Sequence, residues 1–554
     1  MIDAWSPLVH DLTVQLVRAP SVTNTPDEQA FADHLHALLA AHPYFQVHPD
    51  YVWSEPALND PQQRRNVWAF VRGTGSATVL LAGHYDVVNV DNYGPLAPWA
   101  YDPAELLPRL IAEIERAPAS AADRLALDDL RSGEYLPGRG ALDMKSGLAA
   151  GIAVLQRFAE TDNRVGNLLF VATPDEEVTS QGMCAAALRL ASVSRELQIE
   201  LVAAINLDAI ADRTDGSDGR AVCFGSAGKL LASVYLVGNE THAAYPFDGL
   251  NPNRLAAEVT RRFDSNVDLC DHAEGEWAPP PANLKQADTK QGYDVTTPTA
   301  AWCTYNVLCY GRGPSAVLEL LRNEVQAALS DVVQQHQAQA ARYATLTGHD
   351  VTPVGEPLML TFADLRERAL QQGGASAEHD LTNLTTQLVN DDAIDLPEYS
   401  RRITELVWRW SGLSGPAAVL GFAALYYPRV QVGHQEPAHA RLREVVTRQV
   451  ATVAKISGVS IRTRPFFPAI SDMSFLGGDD TPDDLATMAL NTPPWGTRVH
   501  FDFQSAQALN LPTINIGPWG RDYHQRTERV HMPYSFGVLP ELIWHVVQDL
   551  LVSS

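Results

Sequence analysis

The 554-residue chain lacks what would mark several common protein classes. Its five cysteines (Cys184, Cys223, Cys270, Cys303 and Cys309) form no CxxC pair and leave an odd one over. That argues against a disulfide framework and fits a reducing compartment, with cysteine as a small apolar filler. Basic residues are few: 41 Lys and Arg against 66 acids give a net charge of −25. They form no cluster that would grip a polyanion, so nucleic acid is not an expected partner. Long hydrophobic runs are missing as well. The longest, Ala417 to Tyr427, is too short to cross a bilayer, so no membrane partner is expected. The N-terminus, MIDAWSPLVHDL, has an acid at its third position and no basic stretch, unlike a signal peptide. Repeats and low-complexity tracts are absent too. Together these features predict a cytoplasmic protein.

What is present is globular: 45% hydrophobic and 19% charged residues, in a chain too long for one ordinary core. Apolar periodicity predicts a helix over Pro7 to Val17. Thr25-Pro26-Asp27-Glu28 reads as a capping box opening a second helix to about Ala41. Strands follow at Asn66 to Val71 and Thr78 to Val88. Asn89 to Pro137 is an excursion rich in Pro and Ala, helical in its middle (Ala104 to Ile114). It interrupts an otherwise regular alternation of strand and helix. Gly138 to Phe158 gives a glycine-rich turn, with Asp143 at its apex, and a helix from about Lys145. The strand before PDEE, a helix from Gln181, and a strand from Leu201 to Leu207 complete a parallel-sheet pattern.

The chemistry gathers at the ends of those strands. In LLAGHYDVV, His84 and Asp86 stand two apart and on one face, a spacing that suits an imidazole ligand with a supporting carboxylate. Asp175, Glu176 and Glu177 follow the strand Leu168 to Val171 directly. In isolation PDEE reads as a solvated acidic turn. However, adjacent acids point in different directions, so one can bind a cation while the other handles protons. Asp208 closes the strand in LVAAINLDAI. His84, Asp143, Glu177 and Asp208, brought to one sheet edge, would form a hard-oxygen and imidazole cage for zinc, cobalt or manganese.

Beyond Gly228 a β-α-β-α run reads as a small inserted domain of the split βαβ kind, with His242 in a loop between strand and helix. The expected boundaries are a catalytic domain over 1–229 and 371–554, interrupted by an insert over 230–370. Asp380 to Trp410 is helical and carries no chemical signal. Ala417 to Tyr426 is a buried strand, Ala438 to Ile456 a helix, and Thr513 to Ile516 a last strand before a Gly/Pro turn and His524.

Five motifs in order, GHYDVV, GRGALDMKSG, PDEE, THAAYPFDGLNP and GPWGRDYHQRTE, resemble the dinuclear-zinc amidohydrolases. That family includes glutamate carboxypeptidase, aminoacylase and succinyl-diaminopimelate desuccinylase. Within it the chain looks most like the RocB-type arginine-utilization proteins, through ISDMSFLG and PYSF as well. The resemblance covers nearly the whole chain. It implies an α/β fold in which a mixed, largely parallel sheet is flanked by helices and a ferredoxin-like lid and dimerisation domain is inserted.

The resemblance also implies roles and a cofactor: two divalent ions, zinc in the first place, with cobalt or manganese as alternatives. His84 and Asp208 would hold one ion, Glu177 and His524 the other, and Asp143 would bridge them. Asp86 would support His84, and Glu176 would be the general base. His242 would reach a partner subunit's site in a homodimer and steady the tetrahedral intermediate. Glu528 falls where the family has an acid four residues after its last ligand, and Asp143-Met144 is a candidate cis peptide. Many members carry Asn-x-Arg to grip a substrate carboxylate; here Asn306-Val307-Leu308 stands in its place, with Arg521 a candidate substitute. Asp175 has no assigned role. The implied activity is hydrolysis of an amide bond in a small peptide or N-acyl amino acid, with a link to arginine catabolism. An aminopeptidase with the same cage and a catalytically silent binding relative are the alternatives.

Overall fold

The computed structural model describes residues 4–552 apart from 117–119, 213, 349, 351–352, 390, 392 and 479. The chain divides into two compact units. The first comprises residues 1–226, 430–479 and 502–554; the second comprises 227–429 and 480–501.

An eight-stranded mixed sheet organises the first unit. Its order is Val52–Pro56, Arg65–Val71, Val165–Thr173, Thr74–His84, Glu200–Asn206, Thr513–Ile516, Ala221–Cys223, Arg462–Arg464. The four middle strands run parallel, with Thr74–His84 between Val165–Thr173 and Glu200–Asn206. Their sequences are near-continuous apolar runs because helices cover both faces. The helix Ser146–Glu160 shows why a glycine in its first turn matters. A Cβ at Gly147 would stand 2.1 Å from the Leu207 carbonyl oxygen, so only glycine lets the helix start that close to the strand bearing Asp208.

The strand expected to reach Val88 stops at His84, because Tyr85 N–H turns to the Thr173 carbonyl and Val87 N–H to that of Ser21. The helix Pro26–Ala40 forms as expected, but its capping box does not close. Glu28 is fully buried; it accepts instead from Asn24 N–H at 2.7 Å and Asp175 N–H at 2.9 Å. The excursion builds its own small core, in which Leu106, Leu110 and Ile114 of Pro103–Arg116 meet Ala126 and Leu130 of Ala121–Ser132. Among the described residues one helical stretch, Pro533–Val552, is long and apolar enough to cross a membrane. That stretch is 72% buried, in the core of this unit.

In the second unit five strands take the order Ala282–Asp288, Ala300–Cys309, Gly228–Val237, Ala417–Phe422, Leu358–Thr361. The boundary expected at 370 is corrected here to 429. Ala417–Phe422 pairs antiparallel with Gly228–Val237, which places it in the five-stranded sheet of the second unit and not in the first unit. The crossover leading to it is lengthened by Phe362–Val389 and Leu396–Trp410. Those helices bury Leu365, Tyr399 and Val407 with Tyr235, Trp302 and Val419 of the sheet. Their apolar stripes, unreadable as chemistry, are therefore core.

Candidate active site

The carboxyl ends of the parallel strands bring the separated acids and histidines together. Asp143 is the centre. Its Oδ1 lies 3.3 Å from His84 Nε2 and its Oδ2 lies 3.2 Å from His524 Nε2. Asp208 Oδ1 stands 3.9 Å from His84 Nε2 on one side, and Glu177 Oε1 stands 3.1 Å from His524 Nε2 on the other. Two groups result, His84–Asp143–Asp208 and Asp143–Glu177–His524, each with its ligand atoms within 4.8 Å of one another. The Asp143–Met144 peptide is cis.

Each side chain is held from behind. Asp86 lies past the strand end yet still on the Nδ1 side of His84, with Oδ1 at 3.5 Å. The same carboxylate accepts from Glu176 N–H at 3.0 Å, Glu177 N–H at 3.3 Å and Thr23 Oγ1 at 2.8 Å. It therefore ties His84 to the PDEE turn. Asn515 of the last strand fastens Asp208, accepting from its N–H at 3.1 Å and donating to its carbonyl at 2.8 Å. Glu528 takes the N–H groups of Leu142 and Asp143 at 3.2 and 3.4 Å and pairs with buried Arg139.

The electrostatics are those of crowded acids. Burial raises Glu176 well above the usual carboxylate range; His84 offsets this in part, while Asp208, Asp472 and Glu177 add to it. Burial, with Asp143 close by, pushes Asp208 up to about 7. Burial would lower His524, but Asp143 and Glu177 outweigh it and push the imidazole up to about 11. Asp143 goes the other way: despite burial, His524 and His84 hold it well below its ordinary value. The donor set is carboxylate oxygen and imidazole nitrogen with a surplus of negative charge, and this fits a pair of divalent cations. His84, Asp208, Glu177 and His524, with Asp143 between them, are the residues that would hold such a pair. Glu176 Oε2 lies 3.9 Å from His84 Nε2 and, with Asp208 and His524, lines a cavity of about 210 Å³. Its other walls include Phe467, Ile470 and Tyr523.

Three sequence assignments change or stand apart. Arg521 does not line that cavity; it is buried, with Nη2 on the Thr214 carbonyl at 2.8 Å and Nε 3.3 Å from Asp129. Burial in an ion pair leaves it no substrate-gripping role. Asn306 sits mid-strand in the second unit, opposite Leu231. His242 is an exposed loop residue of that unit whose Nδ1 accepts from Ala244 N–H at 3.0 Å, so the neutral ring carries its proton on Nε2.

Two residues near the site escaped the sequence reading. Asp175 is buried and bonded to Arg64 at 2.6 Å, an anchor for the PDEE turn. Asp472, also buried, accepts from Thr173 Oγ1 at 3.1 Å and adds its charge to the surroundings of Glu176. Only the acid in ISDMSF could have flagged it.

The model for peptidase family M20/M25/M40 matches residues 126–500. Protein RocB of Bacillus subtilis is 31% identical, over 98% of this chain and 95% of its own length. A succinyl-diaminopimelate desuccinylase of Ectopseudomonas mendocina is 29% identical over 52% of this chain and 63% of its own. Among solved structures, a tripeptidase of Staphylococcus aureus superposes with a TM-score of 0.51 at 15% identity, covering 99% of both chains. At that identity the likeness is one of fold. The chain belongs to peptidase family M20/M25/M40 and is a metal-binding hydrolase of its metallopeptidase and amidohydrolase kind.

Proposed function

We propose that the protein hydrolyses an amide bond in a small peptide or N-acyl amino acid, working as a homodimer in the cytoplasm. Two divalent ions, zinc in the first place, would lower the pKa of a water toward neutrality and polarise the amide carbonyl when bound. Glu176, outside both ligand groups, takes the water's proton and delivers it to the leaving nitrogen. Asp86 holds the His84 ring through its Nδ1 side and the Glu176 backbone through its N–H, so ligand and base keep one geometry. His242, with Nε2–H outward, enters as oxyanion donor on the strength of the family resemblance.

One observation carries the proposal: the two oxygens of Asp143 face two histidines, each with a second acid, beside a carboxylate left free. The cavity of the first unit is walled by the proposed metal ligands, Glu176 and groups such as Phe467, Ile470 and Tyr523, with no Arg or Lys among the described residues that line it. The lining therefore offers no guanidinium or ammonium to grip a substrate carboxylate, and the link to an arginine derivative rests on the likeness to RocB. Metal analysis of protein purified without chelator should give two divalent ions per chain. A panel of N-acyl amino acids and dipeptides, arginine derivatives included, should yield turnover that chelation abolishes. Protein with no bound metal and no turnover after metal addition would overturn the proposal.

A further inference from the structure

The turn that presents His524 carries three arginines, Arg521, Arg526 and Arg529, and each meets an acid of the 89–137 excursion. Arg529 is fully buried, donating through Nε at 2.9 Å and Nη2 at 2.7 Å to Asp129. Arg521 Nε lies 3.3 Å from the same carboxylate. Arg526 reaches Glu113 at 2.6 Å and Asp123 at 2.9 Å. At the near end of the excursion, Asn92 Nδ2 donates to the His524 carbonyl at 2.6 Å, and its Oδ1 accepts from Arg139, the partner of Glu528. The pairing continues into the turn, where Arg529 Nη1 also holds Asp522 at 2.7 Å and the Thr527 carbonyl at 2.8 Å.

The turn needs such holding. Asp522 and His524 both adopt left-handed backbone conformations, φ 57° and 62°. Each costs a non-glycine residue about 1 kcal/mol and persists only where the surroundings over-determine it. The side chain of His524 is 40% exposed, so little packing fixes its ring directly. The ring meets Asp143 and Glu177 at its Nε2, and the backbone behind it is bonded by Asn92 of the excursion.

We propose that the 89–137 excursion is a clamp that positions His524, with Asp129 and Asn92 as its key positioning residues. It rests on the two-metal reading above. Through the three arginines it tunes chiefly the affinity of the His524–Glu177 side of the cage; Asn92 reaches that side through the His524 carbonyl and, by way of Arg139 and Glu528, also backs the shared Asp143. Loss of a group hydrogen-bonded to a ligand lowers metal affinity about 10- to 100-fold; Asn92 bonds the His524 backbone and Asp129 acts one contact further out, through Arg529.

The test titrates metal-free protein with Zn2+ or Co2+ against a competing chelator, alongside thermal melting, for wild type, Asp129→Asn, Asp129→Glu and Asn92→Ala. Wild type should bind two ions. Asp129→Asn and Asn92→Ala should weaken one ion about 10-fold, the lower end for loss of a group supporting a ligand, with the other ion affected much less, and Asp129→Glu should recover most of the loss. Variants that keep both affinities, or that weaken both ions equally as the melting temperature falls, would overturn the clamp. Should Asp129→Asn not fold, exposed Asn92→Ala decides alone. A wild type that binds no ion would instead bring down the two-metal reading, and the clamp with it.

Discussion

Arg64 places its guanidinium 2.6 Å from the carboxylate of Asp175, 111 positions further along the chain. The same cation pairs with Asp60 at 2.8 Å and stands 3.5 Å from Glu28, and none of the four side chains is more than 5% exposed. One buried cation thus serves three buried acids directly behind the PDEE turn.

Replacing Arg64 with Ala strands those acids, and breaking a buried ionic cluster from one side costs about 3–5 kcal/mol. Urea denaturation of Arg64→Ala should show a loss of that order, with a fall in activity as the turn bearing Glu176 loosens. A loss under 1 kcal/mol would contradict the anchoring role.

Glu176 is the test of mechanism. Glu176→Gln preserves volume and removes the base, so turnover should fall about 100- to 10,000-fold while two metal ions remain bound. Retained turnover removes Glu176 as the base, and lost metal makes it a ligand.

His242 and Glu176 separate the shared-site idea. Inactive Glu176→Gln chains mixed with inactive His242→Ala chains should regain activity if each active site draws on two subunits. No recovery, in mixtures shown to exchange subunits, counts against a site completed by a partner.

A pH effect belongs to His531, away from the ligands. Burial, with Arg220 and Arg521 nearby, lowers its pKa from 6.5 to about 4. Between those values the unfolded chain binds a proton that the native state refuses, so the contribution of His531 to stability falls as pH drops through that window. Above 6.5 both states are neutral and the effect vanishes. The full shift corresponds to about 3 kcal/mol. His531→Gln should flatten the pH dependence of stability, measured by urea denaturation between pH 4 and 6.5; an unchanged slope would refute the assignment.

Much of the site was legible because chemistry in a parallel sheet collects where strands end, and strand ends show in one dimension. Apolar runs stop at His84, before Asp175 and at Asp208, and the glycines around Asp143 announce a tight turn. The Thr25 pattern correctly opened a helix, yet the partner of Glu28 was misread, because that side chain alone of the first turn is buried, where it accepts from Asn24 and Asp175 N–H. The second unit was cut short at 370 for a related reason. Two long helices between its strands Leu358–Thr361 and Ala417–Phe422 look like a new domain until the register of Ala417–Phe422 against Gly228–Val237 is known.

The sequence by itself determined which residues could carry the chemistry: the candidate ligand types, their order, and two adjacent glutamates. Local pattern suffices there, since strand period, glycine and acid placement act over a few neighbours. Tertiary structure alone decided what holds those residues. Arg526 meets Glu113 across 413 positions, Arg529 meets Asp129 across 400 and Arg64 meets Asp175 across 111. A buried charge is stable only beside its counter-charge, and nothing in a linear chain says which of 66 acids will stand beside which of 41 bases.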